Sequence, residues 1–400
     1  MSVDRQLRVF LDNTGVHSAG RCLDRTARGP ADVAGLLQLC SAIVFAEELV
    51  YSDRESSPVR ERTAEVLERI HDIGFDRHKV QRASLTEREW DGFCREVGDE
   101  FALDLDDLMP LAKVGPEVTA LAPDLGLDTG PPDGEVHELI AGELSSSRLE
   151  ELGAQARELK GRGLVAYTLY RNRDLLERLR SRRVSGKDDW SIWDTSRLAA
   201  MLRVYGNTSV AQRLKALYLP SVARGELLRG HATVVLNRLL GTMAEAASAL
   251  TETSVGIPSV LLAIVGECKG HPEAAIEQAL ALREKAGGVR ALLQRHTELL
   301  AGGQSVEAQA ELGREIAHIR KILHRELGLS PAPGLAGAFD VTFILGLPAP
   351  SLSGKALLRW VRNRWQRRKV AVLTELSRRA AFQVKRARLL RQLLAASGVK

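Results

Sequence analysis

The segment Arg8-Val9-Phe10-Leu11-Asp12-Asn13-Thr14-Gly15 constrains this chain more than any other. Val9 to Leu11 is a short β-type apolar run, and Asp12-Asn13-Thr14-Gly15 is turn chemistry, rich in side chains that hydrogen-bond their own backbone. A strand that stops in an acidic turn places a carboxylate at its carboxyl end. Any active site in the chain has to be read relative to that point.

The segments that follow alternate in a way that suits a layered fold. Pro30 opens a helix over Ala31 to about Cys40, because its missing N–H is not needed in a first turn. The run Ile43-Val44-Phe45 through Leu49-Val50-Tyr51 fits a second strand, and a longer helix fits it almost as well. Ser57-Pro58 starts another helix, which Gly74 ends. Ser84-Leu85-Thr86-Glu87 reads as a capping box ahead of Trp90, Phe93 and Val97 at helical spacing. Between Pro110 and Gly134 the periodicity lapses and prolines collect among glycines, as in a linker or insertion. Ser147-Arg148-Leu149-Glu150 reads as a second capping box, opening a helix to Lys160. Leu164 to Leu169 is the best strand signal in the chain, and Arg171-Asn172-Arg173-Asp174 opens the next helix. Together with the first segment this predicts a small α/β domain with a parallel sheet.

After about Ser185 the strand signals vanish and Thr195 to Leu327 reads as successive helices, while 328–353 is rich in Pro, Gly and Ser apart from the apolar run Phe339 to Leu345. Aromatic residues make up only 4% of the chain, so the core is aliphatic, which suits packed helices better than an all-β sandwich. Lys355 to Ala396 contains neither Gly nor Pro and predicts one helix, about 60 Å long if unbroken. The expected architecture is mainly α. An N-terminal α/β domain covers 1–185, with a Pro/Gly-rich insertion at 110–134. An all-helical domain covers 186–330, a linker 331–354, and a basic amphipathic helix 355–400.

The charge is unevenly distributed. The chain carries +5 overall. Residues 355–400 hold 14 Lys and Arg against the single acid Glu375, or +13, which leaves −8 for the other 354. Arg362, Arg364, Arg367, Arg368, Arg378 and Arg379 recur around the expected helix, and guanidinium groups at this density suit phosphate contacts. Trp365 can stack on an unpaired base. The same pattern fits a helix that docks its apolar stripe (Leu358, Val361, Trp365, Val372, Leu376) on the acidic body or on a protein partner. It also fits an anionic membrane surface.

Cys22, Cys40, Cys94 and Cys268 are widely spaced and form no C-x-x-C pair, which predicts buried thiols in a reduced compartment rather than a zinc site. The most apolar stretch, Val33 to Ala46, is interrupted by Gln38 and Ser41 and is too short to span a bilayer, which needs roughly 20 apolar residues. A cytoplasmic location without a membrane span is expected. Gly346 to Lys355 resembles a phosphate loop, but its glycine spacing is wrong and Ala356 stands where a hydroxyl is required. His296, His318 and His324 lie in helical tracts without a ligand motif.

The order of a strand ending at Asp12, acids at Glu47 to Glu55, and Leu164–Leu169 followed by Asp174 resembles the PIN-like nuclease family over roughly residues 8–182. That resemblance implies a parallel sheet with three or four carboxylates at the carboxyl ends of its strands. Crowded carboxylates repel unless a divalent cation neutralises them, and Mg²⁺ or Mn²⁺ held there can activate water against a phosphodiester. By resemblance Asp12 is the first ligand and Asp174 the last, and these two are the catalytic pair. The second is Glu48, Asp53 or Glu55, with Glu55 preferred. The third is Glu151 or one of Asp104, Asp106 and Asp107, with Glu151 preferred. Equally, Asp12 and Asn13 suit plain turn residues, and Asp174 suits a helix cap. The function expected is a metal-dependent nuclease, acting on RNA rather than DNA, with the tail holding the substrate. The alternative is a non-enzymatic helical scaffold or adaptor whose basic tail docks a partner.

Overall fold

A computed structural model describes residues 7–52, 57–112, 134–141, 144–158, 163–184, 192–221 and 268–287, apart from isolated positions. It also describes 253–256, 340–343, 371–372 and 392–398 (393 excepted), and the single residues Arg224, Ile264, Arg290 and Ala291. Asp53, Glu55, the 113–133 segment and the arginines of the basic tail lie outside the described residues.

Strand β1 (Arg8–Leu11) leads into helix α1 (Asn13–Leu23), and α2 (Pro30–Phe45) into β2 (Glu48–Ser52). Helix α3 (Ser57–Ile73) ends at Gly74, whose φ of +126° a residue with a Cβ rarely adopts. A 3₁₀ turn then feeds β3 (Val80–Ala83). Helices α4 (Glu87–Ala112), α5 (Gly134–Ala141), α6 (Ser146–Glu158), α7 (Leu164–Arg171), α8 (Arg173–Val184) and α9 (Ile192–Arg213) follow, before β4 (Leu217–Leu219). Later come β5 (Thr253–Gly256), α10 (Pro272–Lys285), β6 (Asp340–Phe343) and β7 (Ala371–Val372). No helix among the described residues is long and apolar enough to cross a membrane.

The sheet order is β3-β2-β1-β4-β7-β6-β5, and the first four strands are parallel. Pleating sends alternate residues of each strand to opposite faces. Val9, Leu11, Leu49 and Leu219 join a core with α1, α2, α3 and α10. Phe10, Val50 and Tyr218 join a second core with α4 to α9. A parallel sheet covered on both faces explains why these strands read as continuous apolar runs. Helices α1 and α2 pack closely at Gly35, where an added Cβ would lie 2.6 Å from the Ser18 Cβ.

The α/β N-terminal region and the mainly helical character agree with the sequence. Several local expectations do not. Leu164–Leu169 is helix, with Tyr167 N–H bonded to Gly163 O and Asn172 N–H to Thr168 O. All six residues are buried in the second core; an apolar run buried on every side carries no periodicity to separate helix from strand. The run around Ile43 divides: Phe45 ends α2 and the strand starts at Glu48. The helix before Trp90 is boxed by Thr86 and Glu89, each accepting from the other's N–H, rather than by Ser84 and Glu87. Residues 186–330 are not all helical, because β4 and β5 fall inside them, and β6 falls inside the expected linker. The 355–400 stretch is not one unbroken helix, since Ala371–Val372 is a strand between β4 and β6. Strands of two to four residues offer too little pattern to be read locally.

The end of the chain docks on the N-terminal region. The Ala27 N–H donates to Ser397 O at 2.8 Å, and Leu394 packs against the first core. Burial pushes the Cys22 thiol up to about 12, although the nearby Ser397 side chain pulls the other way.

Candidate functional site

Asp12 stands where β1 becomes α1. Its backbone is extended (φ −73°, ψ 122°), and its N–H still pairs with Leu219 O at 3.1 Å, continuing the sheet by one residue. Its carboxylate then caps α1, with Oδ1 accepting from Thr14 N–H at 2.9 Å. Such a cap satisfies a donor that the first helical turn leaves open.

The neighbours on either side of β1 make this end of the strand special. The connection from β1 leads to β2 on one side, whereas β4 lies on the other. In open α/β sheets a crevice opens outside the carboxyl ends of the strands at such a switch point, and ligands bind there. Leu11 is paired with Tyr51 and Leu219, so Ser52 and Pro220-Ser221 lie level with Asp12 and Asn13.

Two side chains bond Asp12 at this edge, and Asn13 and Ser221 lie next to it. Tyr218, fully buried on β4, donates its hydroxyl to Asp12 Oδ2 at 2.7 Å and accepts from Asn207 Nδ2 of α9 at 3.2 Å. Arg224 donates from Nη1 to Asp12 Oδ1 at 2.6 Å. Asn13 Nδ2 reaches Ser52 O at 3.4 Å. Ser221 lies against the first turn of α1, its Cα 3.6 Å from the place of a Cβ on Gly15.

The electrostatics are internally consistent. Burial pushes the Asp12 carboxyl up, but the Arg224 guanidinium, the Tyr218 hydroxyl and the Thr14 N–H outweigh it and hold the acid below its usual range. Burial and the adjacent Asp12 charge hold the Tyr218 hydroxyl well above its own. Asp12 is therefore an anion, Tyr218 a neutral donor and Arg224 the counter-cation.

Two buried oxygens here have no hydrogen-bond partner, Asn13 Oδ1 and Ser221 Oγ. A buried orphan of this kind costs about 1–3 kcal/mol, and two at a switch point make this edge the candidate site.

The other residues expected at the site lie elsewhere or outside the described residues. Asp174 is exposed in the first turn of α8 and follows a helix, not a strand, so the reason for placing it beside Asp12 lapses. Glu151 is exposed on α6, paired with Arg148 at 2.9 Å and bonded to Gln155. Glu48 pairs with Arg8 at 2.7 Å at the start of β2, the opposite end of the sheet from Asp12. Asp106 is exposed on α4, 3.9 Å from Arg178. Glu55 and Asp53 lie outside the described residues, as do Arg362, Arg364, Trp365, Arg367, Arg368, Arg378 and Arg379. Among the described residues no three His, Cys, Asp or Glu side chains group to hold a metal ion.

Tyr218, Ser221, Arg224 and Asn207 are the residues that sequence reasoning misses. They come from a stretch that reads as helical, and nothing local ties them to Asp12.

Mg²⁺ and Mn²⁺ take several oxygen ligands in octahedral geometry. Asp12, Asn13 Oδ1 and Ser221 Oγ are oxygen donors of the right type. However, both Asp12 oxygens already accept hydrogen bonds, and Arg224 already supplies the positive charge. With Arg224 in place, the arrangement does not fit a divalent ion.

Comparisons of the chain with family models, with curated proteins and with solved structures return no match.

Proposed function

We propose that the protein is a nuclease acting on single-stranded nucleic acid, RNA before DNA, at the carboxyl edge of its parallel sheet. The reading rests on one observation: an ionised, buried Asp12 at the β1–β4 switch point, flanked by the orphaned oxygens of Asn13 and Ser221. The basic 355–391 segment supplies the charge to hold a phosphodiester chain near an otherwise acidic body. Tyr218 and Thr14 orient the carboxylate and keep it deprotonated.

The test is cleavage of a single-stranded RNA oligonucleotide, with Mg²⁺ or Mn²⁺ present, by wild type, Arg224→Gln and the double variant Asp12→Asn/Arg224→Gln. The double variant removes both members of the buried pair and avoids stranding one charge, which costs about 3–5 kcal/mol. Arg224→Gln should cleave most and wild type less, whereas the double variant should not cleave. Equal cleavage by wild type and the double variant would identify a contaminant.

A second reading has its own observation. Asp12 is already neutralised by Arg224, which suits a non-enzymatic nucleic-acid-binding scaffold. Salt-sensitive RNA binding without cleavage by either wild type or Arg224→Gln selects it.

A further inference from the structure

A buried carboxylate carries negative charge that something must balance. Here the balance is internal. The Arg224 Nη1 lies 2.6 Å from Asp12 Oδ1, and the two side chains are 12% and 0% exposed. Thr14 N–H and Tyr218 O–H take up more of the carboxylate's accepting capacity. On Asn13, next in sequence, and on Ser221, level with it past the end of β4, two buried oxygens have no partner, Asn13 Oδ1 and Ser221 Oγ. The anion accepts three hydrogen bonds, while neutral oxygens suited to a hard cation are left bare. A guanidinium donates hydrogen bonds but accepts none; Arg224 balances the charge of Asp12, while the carbonyl oxygen of Asn13 has no partner.

We infer that Arg224 acts as an internal counter-cation that excludes a divalent ion from Asp12, and that moving it aside opens a cation site formed by Asp12, Asn13 Oδ1 and Ser221 Oγ. This rests on Asp12's edge being the functional site, but it does not require catalysis. The exchange replaces the single charge of Arg224 by the two of a divalent ion, so beside Asp12 one positive charge is left for a further anion to balance. The incoming ion also meets acceptor oxygens that the guanidinium leaves unsatisfied. The contact is therefore an autoinhibitory one.

The experiment measures Mn²⁺ binding directly, by the loss of the free-ion electron paramagnetic resonance signal, without nucleic acid. Full-length wild type, Arg224→Gln, Arg224→Lys and Asp12→Asn/Arg224→Gln are compared, with thermal melts alongside. Arg224→Gln should gain a Mn²⁺ site at least about tenfold tighter than any in wild type, equivalent to about 1.4 kcal/mol. Its melting temperature should rise with Mn²⁺. The double variant should lose both effects, and Arg224→Lys, which keeps a cation in place, should gain neither. A wild type that already binds Mn²⁺ through Asp12 overturns the inference. So does an Arg224→Gln protein whose binding is unchanged, or one that fails to fold and is not rescued by millimolar Mn²⁺. If Arg224→Gln binds Mn²⁺ but cleaves no RNA, the exclusion stands and the nuclease reading falls.

Discussion

Tyr218 donates its hydroxyl to Asp12 Oδ2 over 2.7 Å, a buried contact between residues 206 positions apart in the chain. It exists because β4 pairs with β1 in parallel register, with Phe10 opposite Tyr218. The two rings lie 6.0 Å apart on the same face, where Tyr218 can turn its hydroxyl to the end of the neighbouring strand.

Tyr218→Phe should keep that packing and remove only the polar interactions. The ring stays buried, but Asp12 loses a donor and Asn207 an acceptor. The expected cost is about 1–3 kcal/mol, read from the midpoint of urea denaturation with an unchanged slope.

Acid should weaken the fold through Asp12. Its folded pKa is held below the ordinary 3.8, so the unfolded chain binds a proton first as pH falls. The stability from this group is fully present above the unfolded value and is lost as pH drops through the folded one. The stability of wild type relative to Asp12→Asn/Arg224→Gln should therefore be flat above about pH 5 and shrink below about pH 3.9. Denaturation midpoints for both proteins from pH 7 down to pH 3 give the answer; a gap that widens with acid would contradict it.

Arg283 should be a stability residue with no part in the site. Its side chain, on α10, donates to Ile43 O at 2.7 Å, to Ala46 O and to Glu47 O at 3.2 Å, satisfying carbonyls at and just beyond the end of α2. Arg283→Met fills similar space but leaves those carbonyls bare, at a cost of about 1–3 kcal/mol for a buried group left unsatisfied. Thermal melts should show the loss, while RNA binding measured well below the melting temperature should not change.

The basic segment should be probed by substitution and not by deletion. Removing 355–400 would also take away β7 and the packing of Leu394 and Ser397 on the N-terminal region. Substituting Arg367, Arg368, Arg378 and Arg379 by Gln should weaken RNA binding and flatten its salt dependence, by about 0.7 in log–log slope for each phosphate no longer neutralised. Filter binding at two salt concentrations measures this. An unchanged slope with a lower melting temperature would instead assign those arginines to the fold.

Asp174→Asn should be nearly silent. The side chain is exposed in the first turn of α8, so stability should change by no more than about 0.5 kcal/mol, and cleavage should be retained. Loss of cleavage in a protein with an unchanged melt would restore Asp174 to the site.

Asp12 is legible from the sequence because its signal is local: three apolar residues, then a residue that caps the next helix. The same holds for α3, with Pro58 at its start and Gly74 at its end, and for the α/β character of the N-terminal region. These features arise from backbone sterics and short-range hydrogen bonds, which act within a few residues. Leu164–Leu169 misleads because a run buried on all sides carries no periodicity, and only its packing in the second core makes it a helix. The company Asp12 keeps is decided still further from the chain's local chemistry. Tyr218, Ser221 and Arg224 reach it only because β4 adds to the free edge of β1. That pairing is a choice among distant partners, governed by backbone hydrogen bonds and burial on both faces, and nothing around Leu217–Leu219 declares it. That a carboxylate ends the first strand follows from local chemistry alone. That an arginine 212 residues away neutralises it follows from the fold, because a charge buried at a strand end must find its counter-charge wherever long-range pairing brings one within reach.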